Sequence, residues 1–336
     1  MTYLVIDEHN AHEFASPNGH GRGYKGWQRP GTPHIFRGVK PNLPLIPRSE
    51  WSALIKAGQG NWLSDLLKKN NVRSKDQDGL NYCWCYGSAL AAETKILLQG
   101  EAYKEYAPES VAVPCVNGAN EGGYASQAFN QMHTGGMCHA ELLPADHSDR
   151  IQDRRGNVIK IDSAKWSPGW QTDALKHLLV DWYEIDTSFD QVMTCLLNRI
   201  PVAAGLDWWR HLVCFLDPVE VSPGKFGVLI QNSWGVDWPT EGANGYSVLT
   251  EAKATPDGAA CPLFVATDNP VVPPTPVDPA PQPPAPLPVP TPVPMIDWIV
   301  LFNLLVQLLQ QWLSPKTAQE MADNFIAKVK EECERG

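Results

Sequence analysis

The chain has 336 residues, 43% of them hydrophobic, which is enough to bury a sizeable core and to build one large or two ordinary domains. Twenty-seven basic against 37 acidic residues give a formal charge of −10, and no basic run offsets it, which excludes a nucleic-acid backbone as the main partner. Eight cysteines are too few for a disulfide-dense scaffold at this length, and their spacings, including the one-residue gap of Cys83-Trp84-Cys85, form no zinc pattern.

In chain order, Met1-Thr2-Tyr3-Leu4-Val5-Ile6 lacks a basic region leading into a long apolar stretch, so no secretory signal and a cytoplasmic synthesis are expected. Residues 1–45 scatter Gly19, Gly21, Gly23, Gly26, Gly31 and Gly38 among polar and aromatic residues without helical or alternating period. This predicts an irregular arm. From 46 to 268 apolar runs alternate with turn signals, and this stretch must hold the main core.

Within that stretch the run from Cys83 to Leu98 consists of good helix formers with apolar residues at helical spacing, which places Cys83 at or near a helix N-terminus. There the helix dipole favours a thiolate, and a nearby imidazolium would favour it further. Such a cysteine is poised to attack a carbonyl, although one at the head of an apolar helix also fits a buried core position. A thiol nucleophile needs a base oriented by a third group and a donor for the developing oxyanion. Gln77, six residues upstream, His211, followed by Leu212 and Val213 as in a strand, and the run Asn232-Ser233-Trp234-Gly235 could supply these parts.

Beyond the core, residues 269–294 carry 13 of the chain's 30 prolines. Such a segment favours polyproline II and forms a semi-rigid spacer with a reach of about 75 Å. Residues 295–336 follow as a helical tail. Met295 to Leu313 is strongly apolar, yet Asn303, Gln307, Gln310, Gln311 and Ser314 share one helical face, and Asp297 would be costly inside a bilayer. Ser314-Pro315 then opens a second helix with Ala318, Met321, Phe325 and Val329 on one side. The expectation is a docking or oligomerisation device for a protein partner or a second copy, ahead of a membrane-surface helix.

The stretch Gln77-Asp78-Gly79-Leu80-Asn81-Tyr82-Cys83-Trp84 resembles the nucleophile segment of papain-like cysteine peptidases. Asn232-Ser233-Trp234-Gly235, continuing to Trp238 and Asn244-Gly245-Tyr246, resembles that family's segment bearing the triad asparagine, and His211 precedes it. Asn120-Glu121-Gly122-Gly123-Tyr124 is similar to its glycine-rich substrate-binding segment. The resemblance implies an α+β, two-lobed fold, with Cys83 on a mainly helical lobe, His211 and Asn232 on a β-rich lobe, and the cleft between them. It implies hydrolysis of a peptide or protein substrate through an acyl-enzyme, with no cofactor and no metal. Cys83 would be the nucleophile, His211 the base and Asn232 its orienting partner, while Gln77 and the Cys83 backbone N–H would form the oxyanion hole. Trp234 would shield the His211–Asn232 contact, Gly122 and Gly123 would hold extended substrate backbone, and Tyr124 would wall the subsite that selects the second residue before the scissile bond.

The sequence departs from that family in several places. Leu80 stands where the family usually has a cysteine, and Cys85, where it has a small residue, is an alternative thiol. Only five residues separate Gly205 from His211, so much of the wall beyond the scissile bond must be rebuilt or lost. Arg210 adjoins the histidine, where a cation would disfavour imidazolium. An insertion around Ala57 to Arg73 is a candidate cover for the cleft. Two other readings stay open: a tethered structural or binding module, for example of a virus particle, that retains the fold, and an amidase acting on cell-wall or isopeptide bonds.

Overall fold

The computed structural model describes residues 3–14 and 43–265. The proline-rich spacer 269–294, the tail 295–336 and most of the N-terminal arm lie outside the described residues. The chain divides into two units, Met1–Thr275 and Pro276–Gly336, and every described residue belongs to the first.

The described chain opens with β1 (Val5–Ile6) and α1 (Ala11–Phe14), then α2 (Arg48–Ala57), α3 (Leu63–Lys69), α4 (Cys83–Leu98), α5 (Glu109–Val116) and α6 (Ala125–Gly135). The short strands β2 (Arg150–Gln152) and β3 (Val158–Ile161) form an antiparallel pair of their own. After α7 (Trp170–Ala174) come β4 (Leu179–Ile185), α8 (Phe189–Leu197), β5 (Val202–Leu206) and β6 (His211–Ser222). β7 (Lys225–Gln231), β8 (Tyr246–Thr250), α9 (Glu251–Ala254) and β9 (Gly258–Val265) complete it. The architecture is α+β, with a seven-stranded sheet in the order β1-β8-β7-β6-β5-β9-β4. All its pairings are antiparallel except β1 with β8, so the sheet is mixed.

Strand alternation splits the core into two layers. On β6, Leu212, Cys214 and Leu216 face a cluster shared with α3, α4, α5 and α6, whereas Val213 and Phe215 face a second cluster shared with α2 and α8. β5 and β7 alternate in the same way, which is why these strands read as near-continuous apolar runs: both of their faces are buried.

Two expectations need correction. The arm is not irregular throughout, because Val5 and Ile6 pair in register with Val248 and Leu249 and extend the sheet edge. Two residues are too few to show a period, and the partner strand lies more than 240 residues away. The helical part of the insertion 57–73 does not cover the site, and only its end, at Arg73, lines the pocket beside Trp234: Leu63 and Leu67 of α3 are fully buried, and the Ser64 backbone N–H donates to Asp217 Oδ1 at 3.0 Å. That contact sits six residues along β6 from His211, about 20 Å at strand spacing.

Candidate active site

Cys83 is the first residue of α4, as the sequence predicts. The helix is buried nearly all round, and Gly87, one turn after Cys83, lets it lie directly on β6. A Cβ at position 87 would fall 2.6 Å from Leu212 Cδ2 and 3.1 Å from the Val213 carbonyl carbon. This close approach seats the Cys83 thiol on the backbone of Leu212, the residue after His211. Cys85, two residues on, sits near Cys115 and Glu109, on the α5 side.

His211 opens β6 at the end of a tight β5–β6 hairpin. Leu206 pairs with His211, the Trp209 N–H donates to Leu206 O at 3.1 Å, and Arg210 is exposed at φ 49°. The five residues between Gly205 and His211 form this turn, as the short spacing in the sequence indicates. His211 Nε2 lies 2.6 Å from Asn232 Oδ1. The same oxygen accepts the Ser233 backbone N–H at 2.8 Å. An amide nitrogen could not accept that bond, so the side-chain orientation follows from the network. His211 Nε2 therefore carries the proton, and Nδ1 is the basic nitrogen.

The Asn232 backbone is held from two sides. Its N–H donates to Gly245 O at 2.9 Å, and its carbonyl accepts from Ser74 Oγ at 2.6 Å. Gly245, at φ 75°, passes so close that a Cβ would meet Ser74 Oγ at 2.6 Å and Asn232 O at 2.7 Å, which accounts for glycine there. Ser233 then connects this strand end to Gln77. Its carbonyl accepts the Gln77 N–H at 3.0 Å, and its hydroxyl donates to Gln77 Oε1 at 2.8 Å. Gln77 Nε2 donates to Leu80 O at 2.5 Å, so the amide is oriented at both ends.

A second junction ties the Gln77–Cys83 loop to the glycine-rich segment. Asn120 Oδ1 accepts the Asn81 N–H at 2.5 Å, and Asn120 Nδ2 donates to Gly79 O at 2.9 Å and Val158 O at 2.6 Å. Trp84 Nε1 donates to Glu121 O at 3.2 Å, and a Cβ on Gly123 would fall 2.7 Å from the Trp84 ring. Gly122 and Gly123 are buried, and Tyr124 is half-buried at the head of α6. Asn81 and Asn120 stand inside their motifs, whose spacing does not signal this junction; Ser74 and Gly87 carry no local signal for their contacts.

Two tryptophans contact the imidazole and two more pack behind them. Trp234 stacks on His211 with centroids 4.6 Å apart at 28°, and Trp209 meets the ring edge-on at 5.2 Å. Trp238 packs on both, and Trp208 stacks on Trp209. Trp209 Nε1 in turn donates to Phe14 O at 3.0 Å, so α1 is part of the cage. The Trp208-Trp209 pair just before His211 is the local sequence signal for this cage.

The site is closed: Cys83, Gln77 and His211 are each 0% exposed. Burial pushes the Cys83 thiol up to about 12, against the opposing pull of the Leu212 and Trp84 backbone groups. The expectation of a dipole-stabilised thiolate is thus reversed, and the thiol is neutral at pH 7. A concave pocket of about 730 Å³ lies alongside, lined by Arg73, Lys75, Asp76, Trp234 and Asp237 among others.

No family model matches the chain. Among solved structures it is similar to xylellain, a cysteine protease from Xylella fastidiosa, at 16% identity and a TM-score of 0.46, over 59% of this chain and 83% of that one. It is similar to digestive procathepsin L 3 of Tenebrio molitor at 16% identity and 0.45, over 79% and 84%. A procathepsin B from Trypanosoma congolense matches at 13% identity and 0.47, over 71% and 86%. In these comparisons, as in its motifs, the chain resembles papain-like cysteine peptidases.

Proposed function

We propose that the protein hydrolyses peptide bonds by thiol chemistry, with Cys83 as nucleophile, His211 as base and Asn232 as the group that orients it. The observation that carries this reading is the 2.6 Å His211 Nε2–Asn232 bond, which leaves Nδ1 basic at the strand end where the Cys83 thiol rests on the Leu212 backbone. His211 Nδ1 takes the proton from Cys83 Sγ, and the thiolate adds to the substrate carbonyl carbon. The oxyanion is received by the Cys83 backbone N–H, at the helix terminus, and by Gln77 Nε2. Collapse breaks the C–N bond, the amine leaves with the proton from His211, and a thioester remains on Cys83. Water then gives a proton to His211 and attacks the thioester, the carboxylic acid departs, and Cys83 regains its proton.

In this assignment Gly122 and Gly123 take the extended substrate backbone, Tyr124 walls the neighbouring subsite, and Trp234 keeps water from the His211–Asn232 bond. The two-lobed division and a substrate that is a peptide or protein belong to the same reading. The buried neutral thiol adds a requirement: the site opens to admit substrate, and water and the carbonyl dipole that enter lower the energy of the charged pair. That burial is also the one observation favouring a binding module that keeps the fold without the chemistry.

A vinyl-sulfone thiol reagent, a peptide-library hydrolysis assay and mapping of the modified cysteine distinguish the two. The expected result is hydrolysis abolished in Cys83→Ala, substantial activity in Cys85→Ala, and label on Cys83. Label on Cys85 alone overturns the assignment, and hydrolysis of no peptide with no label on Cys83 leaves the binding module.

A further inference from the structure

Three metal-ligating side chains, His139, Asp173 and His177, converge apart from the Cys83 site, and one ligand atom from each lies within 4.8 Å of the others. Asp173 belongs to α7 and His177 follows four residues later in the turn that ends the helix, where its Nε2 comes within 3.9 Å of Asp173 Oδ1. His139 comes from the segment after α6. There Gly136, at φ 74°, brings the chain so close to α7 that a Cβ would fall 1.8 Å from Ala174 O. The cluster is therefore built by backbone packing.

The geometry within it is specific. Asp173 Oδ2 accepts the His139 N–H at 2.9 Å and lies 3.1 Å from His139 Nδ1, and Asp173 Oδ1 lies 3.9 Å from His177 Nε2. Tyr106 OH, at 3.3 Å, holds His177 by its other nitrogen. This is the outer contact that usually orients a ligating imidazole. The two imidazole rings stand 4.5 Å apart, and both residues are more than nine-tenths buried. A second observation points to a ligand: His139 Nε2 is buried and has no hydrogen-bond partner. Buried polar atoms are nearly always satisfied, and an imidazole nitrogen can be satisfied by a metal ion as well as by a proton donor.

We propose that His139, Asp173 and His177 bind a divalent transition-metal ion of the zinc class. Two imidazoles and one carboxylate suit zinc, cobalt or nickel better than calcium or magnesium, which take all-oxygen shells. Three protein ligands leave a fourth position to water. The ion clips residue 139 to residues 173 and 177, closing the excursion that carries β2 and β3. Those strands rest on the nucleophile loop through Val158 O on Asn120 and through the 2.7 Å Arg150–Asp78 ion pair. The role is structural, and it does not depend on the chemistry assigned to Cys83.

The full chain carrying Cys83→Ala, which removes the competing active-site thiol, is titrated with Co²⁺ and Zn²⁺ by calorimetry, visible absorption and thermal melting. One equivalent of Co²⁺ should bind at micromolar concentration with the absorption of a four-coordinate ion. Zn²⁺ should displace it, and the melting temperature should rise with added metal. Asp173→Asn and His139→Gln should each weaken binding by about tenfold or more while circular dichroism stays unchanged. If either fails to fold, His177→Gln, which keeps a hydrogen-bonding group beside Tyr106, replaces it. Absence of saturable one-to-one binding in the Cys83→Ala chain overturns the proposal, as do folded variants that bind as tightly as that parent.

Discussion

Gly87→Ala tests whether the seating of α4 on β6 positions Cys83, the proposed nucleophile. In an ordinary helix interior this change is stabilising by about 1 kcal/mol, because glycine loses more backbone entropy on folding than alanine. Here the new Cβ meets Leu212 Cδ2 at 2.6 Å and the Val213 carbonyl carbon at 3.1 Å. The Leu212 side-chain end can swing aside, but the strand backbone cannot. Helix and strand must therefore part by a few tenths of an ångström, and such overpacking costs about 1–3 kcal/mol. After the propensity gain, a net loss of about 0–2 kcal/mol remains.

Cys83 lies four residues before Gly87 and so on the same helix face, and it moves with the displaced turn. If 1 Å of misplacement costs about 100-fold in rate, a few tenths cost about threefold to tenfold. The assay is kcat/KM on a peptide substrate with titrated active sites, beside a thermal melt. Ile96→Val, at the far end of α4, serves as the control. It should cost about 0.5–1.5 kcal/mol and leave turnover unchanged. A Gly87→Ala protein that loses stability yet keeps the parent kcat/KM would refute the claim that this contact places the thiol.

Burial raises the Asp217 carboxyl to about 6, against the pull of Ser64. A folded-state value above the unfolded value near 3.9 means the native protein holds that proton more tightly. The stability it contributes is full below about pH 4 and is lost as pH rises through 6, to the extent of about 2–3 kcal/mol. Asp217→Asn, which keeps an oxygen for the Ser64 N–H, should flatten urea-melt stability across that window and raise it at pH 7–8; an unchanged pH profile would count against the buried carboxyl. Asn120→Ala removes the bonds to Asn81, Gly79 and Val158, and should lower stability by about 2–4 kcal/mol and kcat more than it raises KM. Unaltered stability would show that the two loops are held together elsewhere.

The parts of the site that were legible in sequence are those set by local chemistry. α4 begins at Cys83 and ends at Leu98 as the run of helix formers indicates, and His211, Leu212 and Val213 start a strand. What escaped depends on register between distant segments. Ser74 reaches Asn232 across 158 residues, Asn120 reaches Asn81 across 39, and β1 pairs with a strand near the other end of the domain. None of these contacts leaves a local period or spacing to read.

The thiol's ionisation escaped for a related reason, and magnitudes decide it. A helix N-terminus stabilises a nearby anion by about 0.3–1 kcal/mol, or about 2 in partly buried geometries. The rise of Cys83 from 9.0 to about 12 corresponds to roughly 4 kcal/mol in the opposite direction. The first effect is carried by the helix alone and can be read from sequence. The second is set by everything packed over the sulfur, so desolvation wins in the closed site. Under the proposed function, whatever uncovers Cys83 would control its charge as well as its access: opening would restore solvent to the thiolate, let the dipole and His211 act on it, and couple substrate entry to creation of the nucleophile.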